Sequence, residues 1–455
     1  MNQQQNNRPK HIVIMGAGLV GSMQAIYLAK RGYQVSVYEQ LPDIRKEPIS
    51  AGRSINLALA NRGIDALDRL NLMDQVRPLL IPMQGRMLHD EQGQLKLQSY
   101  GQKPEEVIYS VSRAGLVSVL RDAAEATGQV TFFFKHECIA IDFEHCHCEI
   151  NDQINNERID CNYDYLIGAD GGGSQVRASM QAIKETDFSA ELLDHSYKEL
   201  NIPAGPKGEF QLAKEALHIW PRGDYMMIGL PNPDASFTLT LFMPNEGPVS
   251  FASISDVTSL NQVFDQYFAD VKKLIPDLET DFFNNPTGYL GTIRCDDWQY
   301  KNVVLTGDAA HAIVPFHGQG MNAGFEDCVA MDKALDAYHD DWQLAMPAFV
   351  ESRMDNSNAI ADMALENYVE MRSTVNDPKF HLKKAIAFEL EKRLPKYFIP
   401  RYSMVMFHLI PYAQAFARGK IQFKILDEIS ADITSIEQVD FIRAERLVKQ
   451  KLPRI

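Results

Sequence analysis

The sequence has little of what disulfide-bonded, zinc-binding and membrane-spanning proteins need. Its six cysteines are scattered over 455 residues without a C-x-x-C pair, so neither a redox-active dithiol nor a zinc ribbon is indicated. The first ten residues, MNQQQNNRPK, lack the apolar segment of a signal peptide. The most apolar long stretch, residues 398–417, is interrupted by two prolines, an arginine and a histidine, which disfavours a transmembrane helix. We therefore expect no metal site, no transmembrane anchor and a cytoplasmic location.

Positive charge is also scarce. The chain has 45 Lys and Arg against 60 Asp and Glu, a formal net charge of −15 at pH 7. A nucleic-acid surface needs clustered basic side chains, so this composition argues against nucleic-acid binding. The 45% hydrophobic content can bury a sizeable core, and the length allows about two to three domains. The charge does not exclude small uncharged or zwitterionic ligands.

Residues 11–40 predict a dinucleotide-binding strand, turn and helix. A short apolar run, typical of a buried parallel strand, stops at Gly16. Gly16, Gly18 and Gly21 have the G-x-G-x-x-G spacing, in which glycines make the turn and let backbone approach a pyrophosphate. The helix that follows would face the diphosphate with its N–H groups, and Glu39 sits where a carboxylate binds a ribose diol. This half-site predicts FAD or NAD; the alternative is a glycine-rich turn without a ligand.

Three later positions extend this prediction. A buried strand delivers Asp170 to its C-terminal edge, where a carboxylate can bind a ribose hydroxyl, although an ordinary strand-to-helix turn would look similar. Arg53, in the loop after the acid, could meet a phosphate or be a solvated charge. The run 307–327, GDAAHAIVPFHGQGMNAGFED, is the most specific in the chain. Asp308 can hold a ribityl hydroxyl of a flavin, and a helix from Met321 would point its positive end at the anionic reduced flavin.

The remaining patterns predict an α/β fold of several segments. Residues 80–97 predict a hairpin with its turn at Gln92-Gly93, one face of which can line a cavity. Residues 185–300 alternate between apolar and polar and predict an antiparallel lobe. We therefore predict a Rossmann-like FAD-binding domain formed by 1–75, 106–184 and 301–375, an inserted substrate domain formed by the hairpin 76–105 and the antiparallel sheet 185–300, and a C-terminal helical region, 376–455.

With these signatures in this order, the chain resembles the single-component, FAD-dependent aromatic hydroxylases of the para-hydroxybenzoate hydroxylase fold. The resemblance covers nearly the whole chain, and GRSINLAL, GRMLHD, IYSVSR, PFHGQGMNAGFEDC and ALENYVEMR are most similar to the members that hydroxylate L-kynurenine. It implies FAD as cofactor, NADPH as a transient co-substrate, and transfer of oxygen from O2 to ring position 3 through a flavin C4a-hydroperoxide, as a step of tryptophan degradation. Two departures are the charged C-terminus, where eukaryotic members have a hydrophobic membrane tail, and the glycine-rich Gly171-Gly172-Gly173.

The motifs and the resemblance together give two groups of candidate residues. The predicted cofactor-binding residues are Gly16, Gly18, Gly21, Glu39, Arg53, Ala58, Arg113, Asp170, Asp308, Gly320, Met321 and Asn322. The implied substrate contacts are Arg86, Tyr100, Met226, Leu230, Phe242, Phe316, Asn367, Met371 and Tyr402. A guanidinium with a phenol suits the carboxylate of kynurenine, whereas the apolar members also fit ordinary core. Two alternatives stay open: a hydroxylase of another phenol or benzoate, and a flavoprotein reductase that is not an oxygenase.

Overall fold

The computed structural model describes residues 10–47, 56–184, 188–372 and 377–455. Within these ranges the strands form four sheets. In chain order the strands are β1 (His11–Met15), β2 (Gln34–Glu39), β3 (Leu57–Leu59), β4 (Leu80–Met83), β5 (Gly85–His89), β6 (Leu95–Ser99), β7 (Ile108–Val111), β8 (Val130–Phe134), β9 (His136–Asp142), β10 (His147–Asp152), β11 (Glu157–Asn162), β12 (Tyr165–Gly168), β13 (Phe188–Ile202), β14 (Ala216–Arg222), β15 (Tyr225–Pro231), β16 (Phe237–Pro244), β17 (Gly288–Cys295), β18 (Gln299–Tyr300) and β19 (Val303–Leu305).

The helices concentrate in the second half of the chain. Short 3-10 turns at Arg77–Leu79, Pro315–His317 and Ile436–Gln438 join some of them. In chain order the α-helices are α1 (Leu19–Lys30), α2 (Asn61–Arg69), α3 (Met73–Val76), α4 (Arg113–Ala126), α5 (Gln175–Ile183), α6 (Val257–Tyr267), α7 (Ala269–Lys272), α8 (Leu278–Asn284), α9 (Asp308–His311), α10 (Gly320–Ala337), α11 (Trp342–Arg372), α12 (Pro378–Arg393), α13 (Arg401–Met406), α14 (Tyr412–Ser430) and α15 (Phe441–Lys451).

A six-stranded sheet of order β18-β19-β12-β1-β2-β8 carries the nucleotide signatures. Its strands run parallel except β18, which pairs antiparallel to β19. The central strand β1 is buried along Ile12, Val13 and Ile14, as expected for a parallel strand covered on both faces. The chain leaves the sheet for other segments and returns with β12 and β19, so the predicted Rossmann-like domain built from separate segments is confirmed.

A seven-stranded sheet of order β17-β13-β16-β15-β14-β5-β6 forms the predicted second lobe. It is antiparallel except where β14 runs parallel to β5. One face packs on α6 to α8 through a core that contains Trp220, Phe237 and Phe264. These three helices were absent from the sequence-based prediction. The opposite face carries the side chains of the candidate site.

The predicted hairpin begins later than expected. Strands β5 and β6 pair around the predicted turn, but β4 pairs with β7 in a separate three-stranded sheet. The prediction that the hairpin starts at Leu80 was therefore wrong. The reason is that Ile81 and Met83 continue the apolar alternation, so the pattern does not show where the chain passes from one sheet to the next.

The longest helix, α11, has 31 residues and joins the two lobes. At its start Trp342 stacks on Tyr165 of the nucleotide sheet, with ring centroids 4.5 Å apart, and its last turns reach the face of the seven-stranded sheet. The helices α12, α14 and α15 share a small apolar core. Among the described residues no helix is long and apolar enough to cross a membrane. The division into domains at residues 75, 105, 184, 300 and 375 stays a prediction.

Candidate active site

The three glycines of the first signature have different surroundings. Gly16 has φ +99°, and a Cβ there would lie 2.4 Å from the carbonyl oxygen of Ala169, while a Cβ at Gly21 would lie 2.0 Å from that of Gly16. These two glycines close the turn. Gly18 is exposed, and a Cβ there would meet nothing within 4 Å. Among the described residues no side chain caps α1, which begins after Gly18, so its first N–H groups are available to a ligand, as a diphosphate site requires.

Glu39 also fixes the turn. Its carboxylate accepts hydrogen bonds from the backbone N–H groups of Ala17 and Leu41, both at 2.9 Å. The buried Arg121 guanidinium donates to the Ala17 carbonyl oxygen from Nε at 3.1 Å and Nη2 at 2.8 Å, and to Asp43 from Nη1. Arg121 was not predicted, because it lies in α4, far from the turn in sequence.

Asp170 lies in the loop before α5 and binds the N-terminal end of that helix. One carboxylate oxygen accepts a hydrogen bond from the Ser174 hydroxyl at 2.5 Å, and the other accepts one from the Val176 N–H at 3.1 Å. Burial raises the pKa of this carboxyl, against the effect of those hydrogen bonds. Nearby, Arg177 donates to the Ala309 carbonyl oxygen at 2.7 Å. Asp170 therefore stabilises the loop before α5 through these hydrogen bonds. A direct contact of Asp170 with a cofactor stays a prediction.

A cavity of about 1150 Å³ lies between the two sheets. At one end it is lined by Arg113, Asp308, Gly318, Gly320 and Met321. Arg113 and Asp308 are exposed, and neither makes a side-chain hydrogen bond to the part of the chain that the structure describes. Gly318 has φ +65°, so backbone rather than side chain borders the cavity there. A free carboxylate, a free guanidinium and bare backbone fit the ribityl chain and ring system of a flavin.

Asn322 joins the start of α10 to β3. Its amide nitrogen donates to the carbonyl oxygens of Ala58 at 2.8 Å and Gly318 at 2.9 Å, and its side-chain oxygen accepts from the Ala60 N–H at 2.9 Å. Both ends of the side chain are thus used by the protein, which leaves backbone groups for the predicted cofactor contacts at Ala58 and Asn322. Arg53, the remaining predicted cofactor residue, lies outside the described residues.

A buried ionic network lies beneath the end of β19. Asp327 is fully buried, and its carboxylate lies 2.6 Å from His311 Nε2, 2.9 Å from the Gly307 N–H and 2.7 Å from Arg353 Nε. Burial alone would raise the pKa of Asp327, but His311 and Arg353 outweigh it and lower the pKa to about 2. The charged carboxylate therefore holds the strand end that carries Asp308.

At the other end of the cavity lies a cluster of four side chains, which we call the Arg86 cluster: Arg86, Tyr100, Glu370 and Tyr402. Arg86, Tyr100 and Tyr402 line this cavity, and Glu370, which contacts Arg86, lines the adjacent cavity. Arg86 comes from β5 and is 6% exposed. Its guanidinium lies 5.3 Å from the Tyr402 ring centroid and 5.9 Å from that of Tyr100, with Nη1 3.4 Å from Glu370 Oε1. The two tyrosine rings stack at 5.6 Å. Burial opposes the charge of Arg86, but Tyr402, Glu370 and Tyr100 more than compensate and raise its pKa, so the guanidinium stays charged.

Apolar side chains line the space between the two ends. Four of the predicted residues do so: Leu230, Phe242, Phe316 and Met371. Met226 lies on the same strand face but is buried in the adjacent core. The prediction missed Leu217, Ile228, Ile313 and Pro315. Ile228 could have been found, because it lies between Met226 and Leu230 in the alternating pattern of β15.

Asn367 and Glu370 border a second cavity, which is formed with the C-terminal helices and holds about 1020 Å³ of empty space, counted with the solvent at its mouth. Arg86, Tyr100, His317 and Tyr402 line both cavities. The Asn367 side chain donates a hydrogen bond to the carbonyl oxygen of Phe316. His317 stacks on Tyr402 at 5.5 Å, and burial lowers its pKa to about 3, which keeps the ring neutral. His317 was not predicted, although it lies within the third signature.

Comparison with known proteins identifies the family. A family described as FAD binding domain matches residues 10–344. Kynurenine 3-monooxygenase from Myxococcus xanthus (strain DK1622) is 44% identical over 446 residues, covering 98% of this chain and 96% of that protein. The corresponding values for kynurenine 3-monooxygenase from Legionella pneumophila (strain Corby) are 41% over 450 residues, 98% and 100%. The chain belongs to the kynurenine 3-monooxygenase family.

Membership of the kynurenine 3-monooxygenase family confirms the resemblance predicted from the motifs, together with FAD as cofactor and NADPH as co-substrate. The fold has more distant relatives. p-Nitrophenol 4-monooxygenase from Pseudomonas putida DLL-E4 superposes with a TM-score of 0.65 at 16% identity, covering 84% of this chain and 94% of that one. At this identity the likeness shows the fold alone, and it confirms the predicted fold class.

Proposed function

We propose that this chain is an NADPH- and O2-dependent flavin monooxygenase that hydroxylates L-kynurenine at ring position 3 to give 3-hydroxykynurenine. The observation that carries the proposal is the position of the Arg86 cluster, at one end of an apolar chamber whose other end has the features of a flavin site. Kynurenine has the same polarity, with an amino-acid head at one end and an aryl ring at the other.

The Arg86 cluster offers a partner for each charge of an amino acid. Arg86 Nε has no hydrogen-bond partner among the described residues, and the contact of Nη1 with Glu370 is long at 3.4 Å. The guanidinium can therefore bind a carboxylate through two parallel hydrogen bonds, while Glu370 can accept from an α-ammonium group. A benzoate or phenol has no ammonium group for Glu370 to bind, which favours kynurenine over the alternative substrates.

The apolar side chains of the cavity surround the aryl end of the substrate. Leu217, Ile228, Leu230 and Phe242 come from three neighbouring strands and Phe316 from the opposite side, so the ring is held in a space that excludes water. FAD, when bound and reduced by NADPH, supplies the activated oxygen that attacks the electron-rich ring carbon beside the amino-bearing carbon. The side chains bind, orient and shield the substrate, and the N–H groups at the start of α10 favour negative charge on the flavin.

Aerobic NADPH consumption by the FAD-loaded protein tests the proposal. We expect L-kynurenine to accelerate NADPH oxidation and to gain one oxygen atom, detected by mass spectrometry, whereas para-hydroxybenzoate and phenol leave the basal rate unchanged. Conversion of phenol or para-hydroxybenzoate without conversion of kynurenine would favour the other aromatic hydroxylases. NADPH oxidation with no oxygenated product from any of them would favour a reductase.

A further inference from the structure

The segment Pro315–His317 forms one wall of the chamber and is held by the last turns of α11. Asn367 donates a hydrogen bond to the Phe316 carbonyl oxygen, which fixes the backbone. Tyr368, the next residue, stacks on the Phe316 ring with centroids 4.1 Å apart and planes 20° apart. On the chamber side Phe316 meets Phe242 at 5.0 Å. The Phe316 ring is therefore held between Tyr368 on one side and Phe242 on the other.

Tyr368 is itself tightly enclosed and is not one of the described residues that line the chamber. It is 7% exposed. His195 meets its ring edge-on at 5.6 Å and 78°, and the Arg372 guanidinium lies 4.9 Å from the ring centroid. His195 is fixed in turn, with Nδ1 2.7 Å from an Asp194 carboxylate oxygen. Because His195 and Arg372 hold the Tyr368 ring in place, Tyr368 can in turn hold the Phe316 ring.

We propose that Tyr368 is a positioning residue for the hydroxylation: its stack holds the Phe316 ring against the aryl group of the substrate. The inference rests on the proposed function. The coupled reaction converts kynurenine, NADPH, H⁺ and O2 into 3-hydroxykynurenine, NADP⁺ and water. If the Phe316 ring turns away, water reaches the reacting atoms and the same two electrons and O2 leave as hydrogen peroxide, with NADP⁺ as the other product. Tyr368 thus sets the fraction of NADPH that yields hydroxylated substrate.

Two variants of the FAD-loaded enzyme separate stacking from the hydroxyl group. Tyr368→Leu removes the aromatic partner and keeps an apolar side chain, whereas Tyr368→Phe keeps the ring. For Tyr368→Leu we expect two quantities to rise about 2- to 12-fold: the ratio of peroxide to hydroxylated product, and the rate of amide hydrogen exchange in a peptide covering residues 313–320. This range corresponds to the free energy of one aromatic pair. FAD content and the kynurenine Kd should stay near wild type, and Tyr368→Phe should match wild type in every measurement.

A double-mutant cycle tests whether Tyr368 acts through Phe316. In a Phe316→Leu background, Tyr368→Leu should add no further peroxide, because the ring that it positions is gone. Any of three results would overturn the proposal. The first is that Tyr368→Leu raises the ratio of peroxide to product as much in the Phe316→Leu background as in the wild type. The others are that Tyr368→Leu keeps the wild-type ratio, or that Tyr368→Leu and Tyr368→Phe raise the ratio equally. Tyr368→Met is a second apolar variant; if neither it nor the Leu variant takes up FAD, the residue is structural and the proposal fails. Absence of hydroxylation by the wild type would instead refute the proposed function.

Discussion

Replacement of Arg86 by methionine is the sharpest test of the substrate assignment. The guanidinium is buried and charged, and in the part of the chain that the structure describes its ion pair is the long 3.4 Å approach to Glu370, so a substrate carboxylate would be its main partner. Removing one member of a buried, hydrogen-bonded charge pair costs about 2–5 kcal/mol of binding. We expect the lower half of this range, because Glu370 already compensates part of the charge. Each 1.4 kcal/mol is tenfold in Kd, so the kynurenine Kd should rise about 30- to 300-fold.

Titration of L-kynurenine against the flavin absorbance spectrum measures this change. Arg86→Lys should recover only part of the affinity, since an ammonium group cannot form the two parallel bonds of a guanidinium. Arg222→Met is a matched control: Arg222 is equally buried on the adjacent strand β14, but it donates to the Tyr267 and His89 carbonyl oxygens. We expect that control to lower the melting temperature and to leave the kynurenine Kd unchanged. Equal dissociation constants for wild type and Arg86→Met would refute the assignment of an amino-acid substrate.

Three further predictions concern the cofactor site and the network beneath it. Gly18→Val should weaken FAD binding without lowering the melting temperature of the FAD-free protein. Gly21→Ala should lower that melting temperature, because a Cβ at Gly21 meets backbone and one at Gly18 does not. The reverse pattern would contradict the assigned roles. Asp308→Ala should weaken FAD binding about 10- to 150-fold, as the loss of a hydrogen bond to a charged group does, and unchanged flavin-fluorescence titrations would exclude the contact. For Asp327, whose pKa is lowered to about 2 against the effect of burial by a histidine and an arginine, the ionised carboxylate contributes about 2 kcal/mol of stability above its ordinary pKa near 4. That contribution is lost as pH falls through 2. The difference in the free energy of unfolding between wild type and Asp327→Asn, measured in urea, should therefore become smaller below pH 4. A difference that does not change with pH would contradict this prediction.

The elements predicted well are those whose information is local. The turn from β1 into α1, Glu39 at the end of β2 and the run 307–327 each lie within about thirty residues, where glycine spacing and apolar periodicity decide the structure. The antiparallel lobe was also predicted, because alternation is a property of each strand. The boundary between β4 and β5 was missed, since alternation continues through it while the pairing partner changes.

The candidate site was predictable only in part, because its closest contacts join distant segments. Glu370 beside Arg86, Arg121 behind the glycine turn and Tyr368 behind Phe316 have no local pattern that distinguishes them from other charged or aromatic helix residues. Their positions follow from how α4 and α11 pack on the sheets. Ile228 is different, because it shares the face of Leu230 on β15 and the period-two rule alone would have found it.

The stacked pair Tyr100 and Tyr402 has a consequence for how the protein is made. The two rings stack, yet they come from distant parts of the sequence, residues 100 and 402. During synthesis the segment from Gly16 to Glu39 emerges early and can fold around local contacts, whereas long-range contacts form only when both partners have left the ribosome. The Arg86 cluster therefore cannot assemble before Tyr402 has emerged, and a chain still being translated can acquire part of its nucleotide site before it can recognise a substrate.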